Sequence, residues 1–254
     1  MGARAHRHRA AARRVHLARA GAAEDDAAAR EVGARHELEE RVVREGGLGD
    51  ERLDGVDQLL EAAGDRSVDL LCANAGMGTG HAFLEQDVAL WRRSIDTNIT
   101  GTVYLLQRML RPMVQRNAGK VLITGSIAGF IPGSFNAVYN STKSFINNFA
   151  DAIRDELKDA DGVTITTLMP GATDTQFFAR ADMLDTDVGT REKADPAKVA
   201  QDGWDALMKG EAHIVSGWKN KLQAAAAHVT PAAILAQQHR AMAEPGTADP
   251  EKEE

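Results

Sequence analysis

The chain has 254 residues, 43% hydrophobic and 26% charged, which suits one large soluble domain or two small ones. Its formal net charge of −7 argues against nucleic acid as a general partner. The single cysteine, Cys72, excludes an internal disulfide and favours a reducing, cytoplasmic location, and no apolar run approaches the roughly 20 residues that span a bilayer. We therefore expect no membrane partner.

The first 52 residues differ in composition from the rest of the chain. Residues 1–50 contain no Ile, Phe, Trp, Tyr or Cys, and residues 1–23 carry six arginines and no acidic residue. Buried parallel strands are nearly continuous apolar runs. We therefore expect residues 1–52 to be a disordered or loosely helical segment. A basic arm for nucleic acid or a transit-like segment is the alternative.

From residue 53 onward, helical and strand patterns alternate. Short apolar runs predict strands at 68–74, 120–126, 162–171 and 213–217. Helical spacing predicts helices at 87–116, at 136–158 and after Asp195-Pro196. Strands that alternate with helices of about ten or more residues form parallel sheets. The pattern predicts an α/β fold with a doubly wound, Rossmann-type parallel sheet in a single domain over 53–243, followed by a polar tail over 244–254.

Small or hydroxylated residues follow three successive strands. They are Asn74-Ala75-Gly76 after the first strand, Ser126 after the second, and Pro170-Gly171 with Thr173 and Thr175 after the third. Any one of these could be an ordinary strand-to-loop turn. In an open parallel sheet, however, ligands bind beyond the carboxyl ends of the strands, so three in succession predict a binding crevice.

Tyr139 and Lys143 are four residues apart on the helix after the second strand, so their side chains share a face. A surface tyrosine beside a solvated lysine is the simpler interpretation. The chemical interpretation is a proton donor, because a nearby ammonium lowers the pKa of a phenol from its usual value of about 10. Ser126 could then donate a hydrogen bond to the substrate oxygen that Tyr139 protonates. Asn98 and Gly101 both weaken a helix and predict a local kink with the Asn98 side chain turned inward.

The order of these motifs resembles the short-chain dehydrogenase/reductase family. Asn-Ala-Gly after a strand precedes Asn98-x-x-Gly101, then Ser126, then Tyr139-x-x-x-Lys143 thirteen residues later, and then Pro170-Gly171. The resemblance covers about residues 55–240. It implies a single doubly wound domain with a seven-stranded parallel sheet. It also implies hydride transfer between NAD or NADP and a small-molecule carbonyl or alcohol, with NADP slightly favoured.

The resemblance also implies a role for each matching residue. Tyr139 would be the acid/base, Lys143 would lower its pKa and hold the nicotinamide ribose, Ser126 would orient the carbonyl, and Asn98 would anchor a water in the proton relay. Cofactor contacts would come from Asn74, Ala75, Gly76, Tyr139, Lys143, Pro170, Gly171, Thr173 and Thr175. Phe177 and Phe178 would belong to the variable substrate lid. The resemblance further implies a homodimer or homotetramer.

One departure from the family pattern concerns the cofactor phosphates. The family begins with a strand and a Thr-Gly-x-x-x-Gly-x-Gly turn, which residues 1–52 do not contain. We therefore expect the first βαβ portion to be missing or abnormal. The segment before Asn74 has the length that is normal for the family but an abnormal composition. This combination favours the hypothesis of an N-terminus read out of frame.

Two functions remain open at this point. The first is an NAD(P)-dependent oxidoreductase that uses Asn98, Ser126, Tyr139 and Lys143. The alternative is a family-derived protein with impaired cofactor binding that serves as a non-catalytic binding or assembly module. No set of His, Cys and carboxylate residues has metal-ligand spacing, so we expect no metal site.

Overall fold

The computed structural model describes residues 53–248. The predicted segment 1–52 and most of the predicted tail therefore lie outside the described residues. The strands are β1 (Leu70–Ala73), β2 (Gly119–Thr124), β3 (Val163–Met169) and β4 (His213–Val215). The α-helices are α1 (Asp54–Ala63), α2 (Val88–Ile95), α3 (Thr102–Gln115), α4 (Ala137–Glu156), α5 (Phe177–Arg180), α6 (Asp187–Thr190), α7 (Pro196–Lys209), α8 (Trp218–Ala227) and α9 (Ala232–Ala243).

The described strands form one parallel sheet in the order β1-β2-β3-β4. Each strand is followed by helical structure before its neighbour begins, as parallel pairing requires. The α/β fold class predicted from the sequence is confirmed, with four strands within residues 53–248. The parallel arrangement brings the carboxyl ends of all four strands to the same edge of the sheet.

The core has two layers because side chains alternate between the faces of the sheet. Val121 and Ile123 of β2 face the helices α3 and α4, where Met113 and Ile146 are almost fully buried. Leu122 faces the other way and packs with Leu168 of β3 and with Val199 and Leu207 of α7. Helices thus cover both faces of β2 and β3, which explains why these strands read as continuous apolar runs.

The strand β1 is only half buried. Leu71 and Ala73 point into the core, whereas Cys72 is exposed. Within residues 53–248, β1 pairs with β2 alone. Its other edge is therefore unpaired within residues 53–248.

The long helix predicted at 87–116 is interrupted at Asp96–Gly101 by a π-helical turn. The helix α2 begins at the cap residue Asp87, whose carboxylate accepts a hydrogen bond from the Ala89 amide. The π-turn separates α2 from α3 and turns Asn98 inward to 1% exposure, so the predicted kink is confirmed. No helix in the described residues is both long enough and apolar enough to cross a bilayer.

Candidate active site

The carboxyl ends of β1, β2 and β3 open into one cavity of about 1340 Å³. Its wall includes Asn74, Gly76, Ser126, Tyr139, Lys143, Pro170, Gly171, Thr173, Thr175, Phe177 and Phe178. A pocket for one drug-sized molecule is typically about 300–1,000 Å³. The cavity therefore has room for a cofactor and a substrate together.

Two of the predicted site residues lie off the cavity wall. Ala75 is exposed, and Asn98 is buried behind the wall. The Asn98 amide nitrogen donates to the Met77 carbonyl at 2.9 Å and to the Thr142 hydroxyl at 2.9 Å, and its oxygen accepts from the Met77 amide at 2.8 Å. In the described structure, Asn98 thus fixes the backbone after β1 to the helix α4.

Lys143 is buried at the base of the cavity with 5% exposure. Its ammonium donates to the Thr124 carbonyl at the end of β2 at 2.7 Å and lies 5.9 Å from the centroid of the Tyr139 ring. Burial lowers the pKa of Lys143 from 10.5 to about 8. A Cβ atom on Gly76 would lie 3.4 Å from the Lys143 ammonium, so a glycine there leaves the approach to the ammonium open.

Tyr139 lies one turn before Lys143 on α4 and packs against Phe177, with ring centroids 5.0 Å apart. Burial raises the pKa of Tyr139 to about 12, while the nearby Ser126 side chain lowers the pKa by a smaller amount. This direction is opposite to the lowering that the resemblance implies for Tyr139. The reason is that burial disfavours the phenolate, whereas the Lys143 ammonium is directed to the Thr124 carbonyl.

Ser126 is positioned by hydrogen bonds at both its side chain and its backbone. Its hydroxyl accepts from the Ala128 amide at 3.1 Å and donates to the Pro170 carbonyl at 3.3 Å. The Asn147 amide nitrogen donates to the Ser126 carbonyl at 2.9 Å, and the Ser126 amide donates to the Asn147 oxygen at 3.4 Å. Asn147 is 8% exposed and was not singled out in the sequence. Its place one turn after Lys143 on the same face of α4 could have identified it.

The segment after β1 contacts the loop after Thr175, which carries Phe177 and which the resemblance identifies as a substrate lid. A Cβ atom on Gly78 would lie 2.5 Å from the Phe177 ring. The Gly80 amide donates to the Ala181 carbonyl at 2.8 Å, and His81 Nε2 lies 2.8 Å from an Asp182 carboxylate oxygen. The glycines in Gly76-Met-Gly-Thr-Gly80 therefore allow close packing of the backbone against the lid. Sequence reasoning missed this contact.

A parallel α/β sheet with a large cavity at its carboxyl edge is typical of doubly wound folds, in which ligands bind beyond the carboxyl ends of the strands. Comparison with known sequences assigns the family within this class. A model of the short chain dehydrogenase family matches residues 13–184, and the chain belongs to this family. The match begins inside the segment 1–52, which we expected to differ from the family and which lies outside the described residues.

Similar proteins agree with this assignment. The chain is 31% identical over 148 residues to an uncharacterized oxidoreductase of Staphylococcus saprophyticus, covering 58% of this chain and 61% of the relative. A similar oxidoreductase of Staphylococcus epidermidis is 31% identical over 147 residues, with 57% and 61% covered. The chain thus spans about three-fifths of the length of these curated relatives.

Solved structures share the fold at lower sequence identity. A short-chain dehydrogenase from Sphingobium yanoikuyae in complex with NADPH has a TM-score of 0.59 at 23% identity, covering 70% of this chain and 69% of that chain. A short-chain dehydrogenase from Streptomyces avermitilis has a TM-score of 0.62 at 21% identity, with 74% and 75% covered.

Proposed function

We propose that this chain transfers hydride between NAD(P)(H) and a small-molecule carbonyl or alcohol, with Tyr139 as the proton donor. The observation that carries this proposal is the convergence of Ser126, Tyr139 and Lys143 on one cavity at the carboxyl edge of the sheet. A phenol, a hydroxyl and an ammonium on one wall can together serve a single oxygen atom. Membership of an oxidoreductase family supports the same reaction class.

The protonation states suit the direction of carbonyl reduction. Because burial raises the pKa of Tyr139 to about 12, the phenol is neutral and holds its proton at physiological pH. In reduction, the Tyr139 hydroxyl gives this proton to the substrate oxygen and is left as a phenolate. The Lys143 ammonium has the charge that stabilises this phenolate. Burial lowers the pKa of Lys143 to about 8, so the lysine can also pass a proton to the phenolate near neutral pH.

Ser126 supplies the second hydrogen bond to the substrate oxygen. Its hydroxyl donates to the Pro170 carbonyl at 3.3 Å, which is long for a bond between two oxygen atoms. A carbonyl substrate can therefore compete for this donor at small cost. The hydrogen bonds from Asn147 to the backbone of Ser126 keep the hydroxyl in place during the exchange.

Small residues on the cavity wall fit a nicotinamide dinucleotide. Asn74 and Gly76 would lie beside the adenine ribose, Lys143 would hold the nicotinamide ribose, and the segment from Pro170 to Thr175 would contact the nicotinamide and pyrophosphate. Gly76 leaves room beside Lys143, as noted above. When bound, the nicotinamide supplies or accepts the hydride. We propose NADP(H) ahead of NAD(H) by family resemblance, and the NADPH complex of the Sphingobium yanoikuyae neighbour supports a nicotinamide dinucleotide in general.

We also propose the domain bounds, the location and the assembly that the sequence predicts. The catalytic domain would occupy residues 53–243, which end with α9 at Ala243. The protein would act in the cytoplasm as a homodimer or homotetramer that pairs α3 and α4. Phe145 on α4 supports such pairing, because its ring is 42% exposed although it is apolar.

A fluorescence titration of the full chain with NADPH and NADH tests the proposal against the non-catalytic alternative. We expect a saturable change in tryptophan or nicotinamide emission with at least one cofactor, followed by NADPH-dependent reduction of a ketone. The complete Ser126, Tyr139 and Lys143 set favours this outcome. If purified protein binds neither cofactor, the oxidoreductase proposal fails and the binding or assembly module is favoured.

A further inference from the structure

The wall of the active-site cavity is basic, although the chain as a whole carries a net charge of −7. Among the described residues that line the cavity, Glu192 is the one acidic side chain, and the basic ones are Arg93, Lys143, Arg180, Arg191, Lys193 and Lys219. A cavity lined by one sign of charge concentrates ligands of the opposite sign. The charge pattern therefore indicates an anionic ligand.

Arg191 has donors available for such a ligand. Its Nη2 donates to the Met242 sulfur at 2.8 Å, and its Nη1 lies 3.9 Å from an Asp187 carboxylate oxygen. A thioether is a weak acceptor, and 3.9 Å is beyond hydrogen-bonding distance. The Arg191 side chain is 37% exposed, so an incoming carboxylate can reach the guanidinium.

Lys193 holds the turn that carries Arg191. Its ammonium donates to the Gly189 carbonyl at 2.7 Å and to the Arg191 carbonyl at 3.2 Å. The same ammonium lies 5.2 Å from the centroid of the Phe178 ring. Lys193 thus fixes the backbone of the turn and adds a second positive charge beside the aromatic wall.

Arg191 lies on the same part of the cavity wall as Phe178, because the Lys193 ammonium contacts both the Arg191 carbonyl, at 3.2 Å, and the Phe178 ring, 5.2 Å from its centroid. His239 lines the same cavity. His239 Nδ1 lies 2.8 Å from the carbonyl of Ser134, a residue in the connection between Ser126 and Tyr139. Arg191 thus lines the cavity beside Phe178 and Lys193.

An aromatic wall connects the phenol to this basic end. The ring centroids of Tyr139 and Phe177 are 5.0 Å apart, and those of Phe177 and Phe178 are 5.3 Å apart. The Lys193 ammonium lies 5.2 Å from the centroid of the Phe178 ring. A ligand that extends from Tyr139 along this wall meets apolar surface first and positive charge second.

We propose that the substrate is a keto or hydroxy acid with an apolar or aromatic body, whose carboxylate is bound by Arg191. The guanidinium can bind a carboxylate through two parallel hydrogen bonds, and Lys193 adds positive charge. The reacting oxygen lies at Tyr139 and Ser126. The placement of the reacting oxygen rests on the proposed function, whereas the carboxylate site rests on the cavity wall alone.

The carboxylate site is tested by calorimetric titration of the full chain with 4-phenylbutanoate and with its neutral amide. We expect the acid to bind about tenfold or more tightly than the amide, because charge-assisted hydrogen bonds are about twice as strong as neutral ones. Arg191→Gln should abolish this ratio. Lys209→Gln, which removes an exposed charge on α7 outside the cavity wall, should leave the ratio unchanged.

Three results would overturn the inference: acid and amide binding equally, neither binding, or a preference for the acid that survives Arg191→Gln. If Arg191→Gln instead weakens NADPH binding without changing the acid-to-amide ratio, the guanidinium serves a cofactor phosphate and the inference is also wrong.

A turnover assay separates this inference from the proposed function. Reduction of 4-oxo-4-phenylbutanoate should be at least about tenfold more efficient in kcat/KM than reduction of its methyl ester. Equal rates would refute the acid substrate and leave the reductase intact. Binding of 4-phenylbutanoate through Arg191 without reduction of either ketone would refute the reductase and leave the carboxylate site intact.

Discussion

Replacing Asn147 with alanine should destabilise the protein and displace Ser126. Asn147 is 8% exposed and makes one good and one long hydrogen bond to the backbone of Ser126, at 2.9 and 3.4 Å. Removing its amide leaves the Ser126 N–H without its partner and leaves the Ser126 carbonyl with the Gly129 amide alone, at 3.2 Å. An unpaired buried polar group costs about 1–3 kcal/mol. We therefore expect a loss of about 1–3 kcal/mol in the free energy of unfolding.

Thermal unfolding and ketone turnover measure the two consequences. A loss of about 2 kcal/mol should lower Tm by about 4–8 °C in a domain of this size. At a temperature where the variant is folded, kcat should fall while the NADPH affinity stays near that of the wild type. Asn148→Ala is the matched control, because Asn148 is the next residue on α4 and is exposed. If Asn147→Ala matches Asn148→Ala in both assays, the positioning role of Asn147 is refuted.

Two further predictions concern the lid and Lys143. Gly78→Val should displace Phe177, because a Cβ atom at residue 78 would lie 2.5 Å from its ring. Steady-state kinetics should then show a reduced kcat/KM. Gly55→Ala on α1 is the control and should leave the kinetics unchanged, because no atom lies within 4 Å of the added Cβ. Equal kinetics for both variants would contradict the lid contact. Burial lowers the pKa of Lys143 from 10.5 to about 8. Between pH 8 and pH 10.5 the unfolded chain therefore binds more protons than the folded chain. The free energy of unfolding should rise with pH across this window because of Lys143. Lys143→Met should remove this rise in the free energy of unfolding, as measured by urea unfolding at pH 8 and pH 10. A pH dependence equal to that of the wild type would contradict this account of Lys143.

The sequence predicted the parts of the fold that depend on local pattern. The strands β2 and β3 are continuous runs of β-branched and aliphatic residues, and they lie where the pattern placed them, to within a few residues. The interruption at Asp96–Gly101 was also predictable, because Asn98 and Gly101 weaken a helix. The exposure of Cys72 was not predictable, because it depends on which elements cover the second face of β1.

The features missed at the candidate site depend on contacts between distant parts of the chain. Gly78 and Phe177 are far apart in sequence, and no local pattern indicates that the glycine makes room for the ring. The raised pKa of Tyr139 also depends on contacts between distant parts of the chain, because burial raises it. The four-residue spacing to Lys143 does not reveal this burial. The position of Arg191 in the cavity could not be predicted either, because it depends on the packing of α9 against the turn that carries Arg191.

The measurement that tests the central claim most directly is the kinetics of Tyr139→Phe. This variant removes one hydroxyl and keeps the ring that packs against Phe177. We expect ketone reduction to fall by about 10²–10⁴-fold, the usual contribution of a general acid, with NADPH affinity within about twofold of the wild type. Turnover within tenfold of the wild type would contradict the role of Tyr139 as the proton donor.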